Sequence, residues 1–236
     1  MIYARRWAAC LALVMILLAP GRARGGEPLT WDYPEFSTAE WVTAGLFLGV
    51  TIAMEIMQPL ERKLEGGLWV DEDVRDAIAV LDPEDQRIPR TVSDVMLTVL
   101  AAYPYLVDGV VVAGWHRRSP EVARQIILIN ALTMSVTVGL TSIAKVVVSR
   151  ERPYGRTCGA ERPESLFDCE DDRRYRSFFS GHSSLSFASA GLICMHHGYL
   201  DLFGNAAADM SACAAALGMA AATSTLRIVA DQHYFT

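Results

Sequence analysis

Histidine is scarce in this chain, five in 236 residues, and basic residues are outnumbered, 21 Lys and Arg against 27 Asp and Glu. The formal charge of −6 excludes a protein that holds nucleic acid through bulk charge, because such binding needs a basic surface. Nothing alternates apolar and polar residues with period two over a useful length. That excludes a sheet-built core and predicts an all-α helical bundle. Internal repeats and low-complexity tracts are missing as well, which leaves one domain-sized unit long enough to bury a full core. The five cysteines show no spacing that resembles a zinc site, so no metal is predicted.

What is present is apolar. Hydrophobic residues make up 52% of the chain and the mean hydropathy is +0.23, greasy for a soluble enzyme and mild for a dense multi-span membrane protein. Residues 1–26 read as an export signal. Arg5 and Arg6 form a basic start, Ala8 to Ala19 an apolar run, and Gly21-Arg22-Ala23 a small-residue cleavage site. The alternative is an uncleaved signal anchor, although the run is short against the roughly 20 residues that span a bilayer. Either way the chain is directed out of the cytoplasm.

Residues 27–92 form an N-terminal segment: an irregular stretch to Glu40, an apolar helix from Trp41 to Met57 closed by Pro59, and an acidic linker with a short helix near Asp71 to Leu81. Residues 93–236 form the remaining core. Ser93 to Trp115 is the second apolar segment, with Ser93 as its cap, and Glu121 to Val148 the third. Ile126 to Val148 carries no charge but Lys145 and is long enough to span a bilayer. A loop over 153–179 is long enough to be functional. Two helices rich in small residues follow, Ser183 to Leu200 and Ala206 to Val229. Glu55, Asp94 and Asp108 are costly in lipid and are expected to face the bundle interior or an interface.

Lys and Arg gather around three short motifs. In the first, Lys145-x6-Arg152-Pro153, a seven-residue spacing puts both cations on one helix face, with Pro153 ending the helix. An ammonium and a guanidinium together suit a phosphate-like dianion. In the second, Ser180-Gly181-His182, a glycine turn leads into a helix N-terminus that offers N–H groups to an anion, and His182 stands where it can protonate a leaving oxygen. Ser180 or Ser183 as a plain N-cap is the structural alternative. In the third, Arg227-x5-His233, a neutral imidazole can attack phosphorus if its tautomer is held, while Arg227 binds a non-bridging oxygen. His196 and His197 adjoin a helix end and read as favouring that terminus rather than as metal ligands.

Together the three motifs resemble the signature of the type 2 phosphatidic acid phosphatase and vanadium haloperoxidase superfamily, over residues 90–236. The resemblance implies a helical bundle and metal-free hydrolysis of phosphomonoester or pyrophosphate bonds through a phosphohistidine. It implies His233 as nucleophile and His182 as general acid, with Lys145, Arg152, Ser180, Gly181 and Arg227 binding the phosphoryl group. A lipid phosphate or polyprenyl diphosphate is the implied substrate, with no cofactor and vanadate acting only as an inhibitory phosphate analogue. The alternatives are a soluble periplasmic acid phosphatase of broad specificity, a haloperoxidase holding vanadate as cofactor, and a non-catalytic anion- or lipid-binding relative. Phe179 stands where the family commonly has proline, and Leu226 where it commonly has serine. The family pattern also continues with an aspartate four residues after His233, whereas the sequence stops at Thr236. The expectation is a C-terminally truncated chain that lacks the final helix and is impaired as an enzyme.

Two further expectations concern cysteines and topology. Cys158 and Cys169 lie close together in a polar stretch, where a disulfide would stabilise by about 3 kcal/mol in an oxidising compartment; Cys194 and Cys213 read as buried thiols. The basic turn Arg117-Arg118 prefers the cytoplasm and the acidic Asp71 to Asp85 stretch tolerates the outside. That places the motifs on the periplasmic face of a bacterial-type inner membrane. It also demands a cytoplasmic start to the mature chain, which a cleaved signal contradicts. A soluble periplasmic or secreted bundle is the alternative.

Overall fold

Apolar runs broken by short polar turns dictate antiparallel helices, and six α-helices form among the described residues. The computed structural model describes residues 26–60, 64–82, 84–158, 169 and 172–236; the signal or anchor segment lies outside them except for Gly26. α1 is Thr38–Ile56, α2 Asp71–Ile78, α3 Arg87–Tyr103, α4 Pro120–Val148, α5 Gly181–Leu200 and α6 Ala206–Val229. The only β pairing among the described residues is an isolated parallel bridge between Leu64 and Arg150.

α1 starts in a capping box between Ser37 and Glu40. α3 begins six residues earlier than the sequence suggests, so Ser93 is not its cap; Ser93 is buried within the helix and its hydroxyl donates to the Arg90 carbonyl, 2.7 Å. Past α3 the chain keeps coiling as a wider π-helix over Pro104–His116. Pro104 has no N–H to continue the α ladder, and Asn130 of α4 donates to the Pro104 carbonyl, 2.9 Å.

α4 does not run to Arg152. It stops at Val148, capped by Ser149 in the left-handed region, φ 45°, with the Ser149 hydroxyl satisfying the Val146 carbonyl at 2.7 Å. Arg152 therefore leaves the helix face it was expected to share with Lys145. Within the 153–179 loop, short 3₁₀ turns form at Pro153–Thr157 and Asp172–Tyr175.

α5 is the central helix, packed against α3, α4 and α6, while α1 lies on the outside of α4. Small residues let α5 and α6 approach closely: Ala190, Ile193, Ala216 and Ala220 form one buried cluster with Leu100. A disulfide between Cys194 and Cys213 ties this pair, which corrects the reading of two free buried thiols. Cys158 and Cys169 form a second disulfide. α1, α4, α6 and the continuous helix Arg87–His116 are long and apolar enough to cross a membrane. Trp41, Leu46, Leu48 and Ile52 of α1 remain exposed, as a lipid-facing surface would be.

The bundle has two distinct ends. At one, Arg117 is buried and donates to the carbonyls of Glu27, Asp201 and Leu202, and a Cβ on Gly204 would come within 2.9 Å of its guanidinium. At the other end lie the segments after α1, α4 and α6. Here α2 clamps the C-terminal segment: Arg75 pairs in fork geometry with Asp231 at 2.6 and 2.9 Å. Asp71 accepts from buried Arg150 and from the Thr236 amide. All three sequence motifs converge on this second end.

Candidate active site

His233 is built into the site by a turn that follows α6. Its backbone N–H, like that of Gln232, donates to the Arg227 carbonyl, which closes the five-residue gap and leaves the imidazole 4% exposed. The Nδ1 atom lies 2.7 Å from the Ser177 carbonyl oxygen. A carbonyl only accepts, so Nδ1 carries the proton and Nε2 keeps its lone pair. Burial, and then the positive charges of Arg152, Arg227 and Lys145, hold the ring well below the usual histidine pKa of 6.5. His233 is a neutral imidazole among three cations.

Those cations arrive from three segments. Lys145 comes from the last turn of α4, and its ammonium lies so near Gly181 that a Cβ there would approach it to 3.1 Å. Arg152 extends from the strand-like stretch beyond α4 and donates to Gln232 at 2.8 Å and to the Arg173 carbonyl at 3.1 Å. Arg227, on the last turn of α6, is 4% exposed. Its Nη1 reaches Ser93 at 3.4 Å and Asp94 at 3.2 Å, whereas its buried Nε has no partner. An orphaned guanidinium N–H beside other cations is a donor that an anionic oxygen would satisfy.

Ser180 is the N-cap of α5, accepting from the Ser183 N–H at 3.3 Å. The cap uses its oxygen as acceptor and leaves its O–H to donate, so capping and anion binding are compatible. His182 stands in the first turn of α5. Its Nε2 lies 2.7 Å from Asp94 Oδ1. Burial, followed by the charge of Arg227, pushes its pKa down to about 4, against the opposing pull of Asp94.

Every motif residue named from the sequence lies at this end of the bundle. Gln232, Ser177 and Asp94 were missed as site neighbours. Asp94 carried a signal, a carboxylate within an apolar run; Ser177 contributes only backbone and carried none. Nearby, Arg174 and Arg176 are engaged by Glu151 and Glu55. At the opposite end, His197 lies in the last turn of α5 with His196 beside it. His196 meets buried Asp108 at 2.9 Å and His197 meets Asp209 at 2.6 Å. No cluster of three or more metal-ligating side chains occurs among the described residues.

No curated protein and no solved structure matches this chain significantly. Residues 126–236, which carry all three motifs, match the family model described as the PAP2 superfamily. With that match and an all-α fold bringing the motifs together, residues 126–236 are identified as a segment of the PAP2 superfamily.

Proposed function

We propose that this protein hydrolyses phosphate esters by way of a phosphohistidine on His233. The observation that carries the reading is the setting of that ring: Nδ1–H bound to the Ser177 carbonyl and Nε2 left as a lone pair, within the field of Lys145, Arg152 and Arg227. The Nε2 lone pair attacks phosphorus as the bond to the leaving oxygen breaks. That oxygen takes its electron pair and a proton from His182. Water then attacks phosphorus and returns a proton to His182. The P–N bond breaks, restoring His233 and releasing phosphate. Lys145, Arg152, Arg227 and the Ser180 hydroxyl balance charge on the equatorial oxygens, the main catalytic requirement of phosphoryl transfer.

The substrate we assign is a lipid phosphate or polyprenyl diphosphate, because four helices have the length and apolarity to cross a bilayer and the motifs lie at their ends. Alkaline carbonate washing tests the membrane assignment; release of the protein into the supernatant rejects it. Rapid acid quench after incubation with a ³²P-labelled ester tests the chemistry. Acid-labile label on wild type and none on His233→Ala is expected; turnover without label would overturn the reading.

The orientation we assign is supported by the disulfide at the motif end. Arg117 is buried on backbone carbonyls, so it serves packing and loses weight as a cytoplasmic signal. The Cys158–Cys169 disulfide lies at the motif end and needs an oxidising compartment. On this reading the site faces the periplasm and Gly26 the cytoplasm, with the preceding segment retained. An impermeant maleimide should label Asp82→Cys in whole cells and spare Arg118→Cys; the reverse pattern would invert the topology.

A further inference from the structure

A carboxylate two turns into a lipid-length helix is expensive and calls for a reason. Asp94 of α3 has one: its Oδ1 sits 2.7 Å from His182 Nε2 and 3.2 Å from Arg227 Nη1. The shorter contact is to the imidazole. A carboxylate accepts, so Nε2 of His182 carries a proton and Nδ1 is the nitrogen left facing elsewhere. Arg227 has a second oxygen partner in Ser93, so Asp94 is not its sole contact. The side chain of Asp94 is 53% exposed while that of His182 is 23% exposed, which puts the carboxylate on the open side of the pair.

We infer that Asp94 is a positioning residue that orients His182 through Nε2 and stabilises its protonated form, leaving Nδ1–H to protonate the leaving oxygen. The inference rests on His182 being the general acid of the proposed reaction. Burial and Arg227 oppose protonation of this ring, and Asp94 is the anion in contact with it that favours protonation. Without Asp94 the ring would be free to rotate and would lose its proton more readily. The helix carrying Ser93 and Asp94 precedes the 126–236 segment that carries the three motifs, so this role falls on a residue outside them.

Leaving-group dependence separates a role through the acid from a role in packing or anion binding. The full chain in detergent micelles would be assayed on 4-nitrophenyl phosphate, whose phenolate departs with little protonation, and on n-octyl phosphate, whose alkoxide needs a proton. Asp94→Asn should lower kcat/KM on octyl phosphate by about 10²-fold, the scale of general-acid catalysis, and on nitrophenyl phosphate by less than about tenfold. His182→Ala should show the same discrimination, and the double variant should be no worse than His182→Ala on octyl phosphate. Asp94→Glu should recover part of the loss, and orthovanadate should inhibit Asp94→Asn at an unchanged concentration. Discrimination by His182→Ala but not by Asp94→Asn overturns the inference and leaves the proposed reaction standing. An equal loss on both esters with weakened vanadate inhibition overturns it as well, in favour of a role through Arg227. If His182→Ala itself fails to discriminate, the general-acid reading falls and this inference with it.

Discussion

The Nδ1 of His233 and the carbonyl oxygen of Ser177 are 2.7 Å apart, and this contact decides which nitrogen can react. A main-chain carbonyl cannot donate, so the proton stays on Nδ1 and the lone pair on Nε2. Phosphorylation should accordingly yield the Nε2 isomer. Alkaline hydrolysis of trapped phosphoenzyme followed by separation of the two phosphohistidine isomers checks this; a dominant Nδ1 isomer would contradict it.

The depressed pKa of His233 has a consequence for stability. Folded His233 stays neutral well below 6.5, whereas the unfolded ring takes up a proton near that pH. The unfolded state thus binds more protons below the unfolded pKa, so stability should fall as pH drops from about 7 towards 5. The melting temperature in detergent should follow that trend, and His233→Asn should lessen it, the remainder coming from His182, whose pKa is also lowered. A wild-type melting temperature that is level over this window would count against a buried neutral ring.

Arg227 offers a buried N–H with no partner. Orthovanadate or phosphate should raise the melting temperature of the wild type, and Arg227→Ala should remove most of that shift. A hydrogen bond to a charged group contributes about 1.5–3 kcal/mol, so inhibition by vanadate should weaken by roughly 10- to 100-fold in this variant. Arg227→Lys should fall between the two.

The Cys158–Cys169 disulfide closes a short loop beside Arg152. Its loss through Cys158→Ser should cost about 3 kcal/mol of stability, read as a lower midpoint of thermal or urea unfolding. Intact-mass measurement before and after reduction should also reveal a second disulfide, between Cys194 and Cys213; a mass consistent with free thiols there would contradict the α5–α6 tie.

Asp71 and Arg150 form a buried ion pair, with side chains 0% and 1% exposed, which connects α2 to the segment that follows α4. Removing one partner of such a pair leaves an uncompensated buried charge and costs about 3–5 kcal/mol. Asp71→Ala should therefore destabilise the protein by that amount. Because Asp71 also holds the Thr236 amide, turnover should fall with it. Asp73→Ala, on the same helix, should do neither.

Much of this protein is determined by the sequence alone. The absence of two-residue alternation and the run of long apolar segments specify helices, because periodicity reports which face can be buried. The bounds of α6 and the end of α5 follow directly from that pattern and its polar breaks. The three motifs identify the anion-binding and reacting side chains, since charged and nucleophilic groups in apolar surroundings stand out by type.

Only the tertiary structure decided how those groups are oriented. The Ser177 carbonyl that sets the His233 tautomer is backbone, which every residue possesses and no composition can single out. Asp94 could be recognised as costly, but its contact with His182 spans 88 residues and depends on how α3 packs against α5. The departure of Arg152 from the α4 face turned on Ser149 taking a left-handed cap, a local backbone choice stabilised by its own hydroxyl and buried surroundings. Cys194 and Cys213 were indistinguishable from core thiols until α5 and α6 met. Local pattern governs which residues face inward; long-range packing governs which of them touch, and the proposed chemistry depends on the touching.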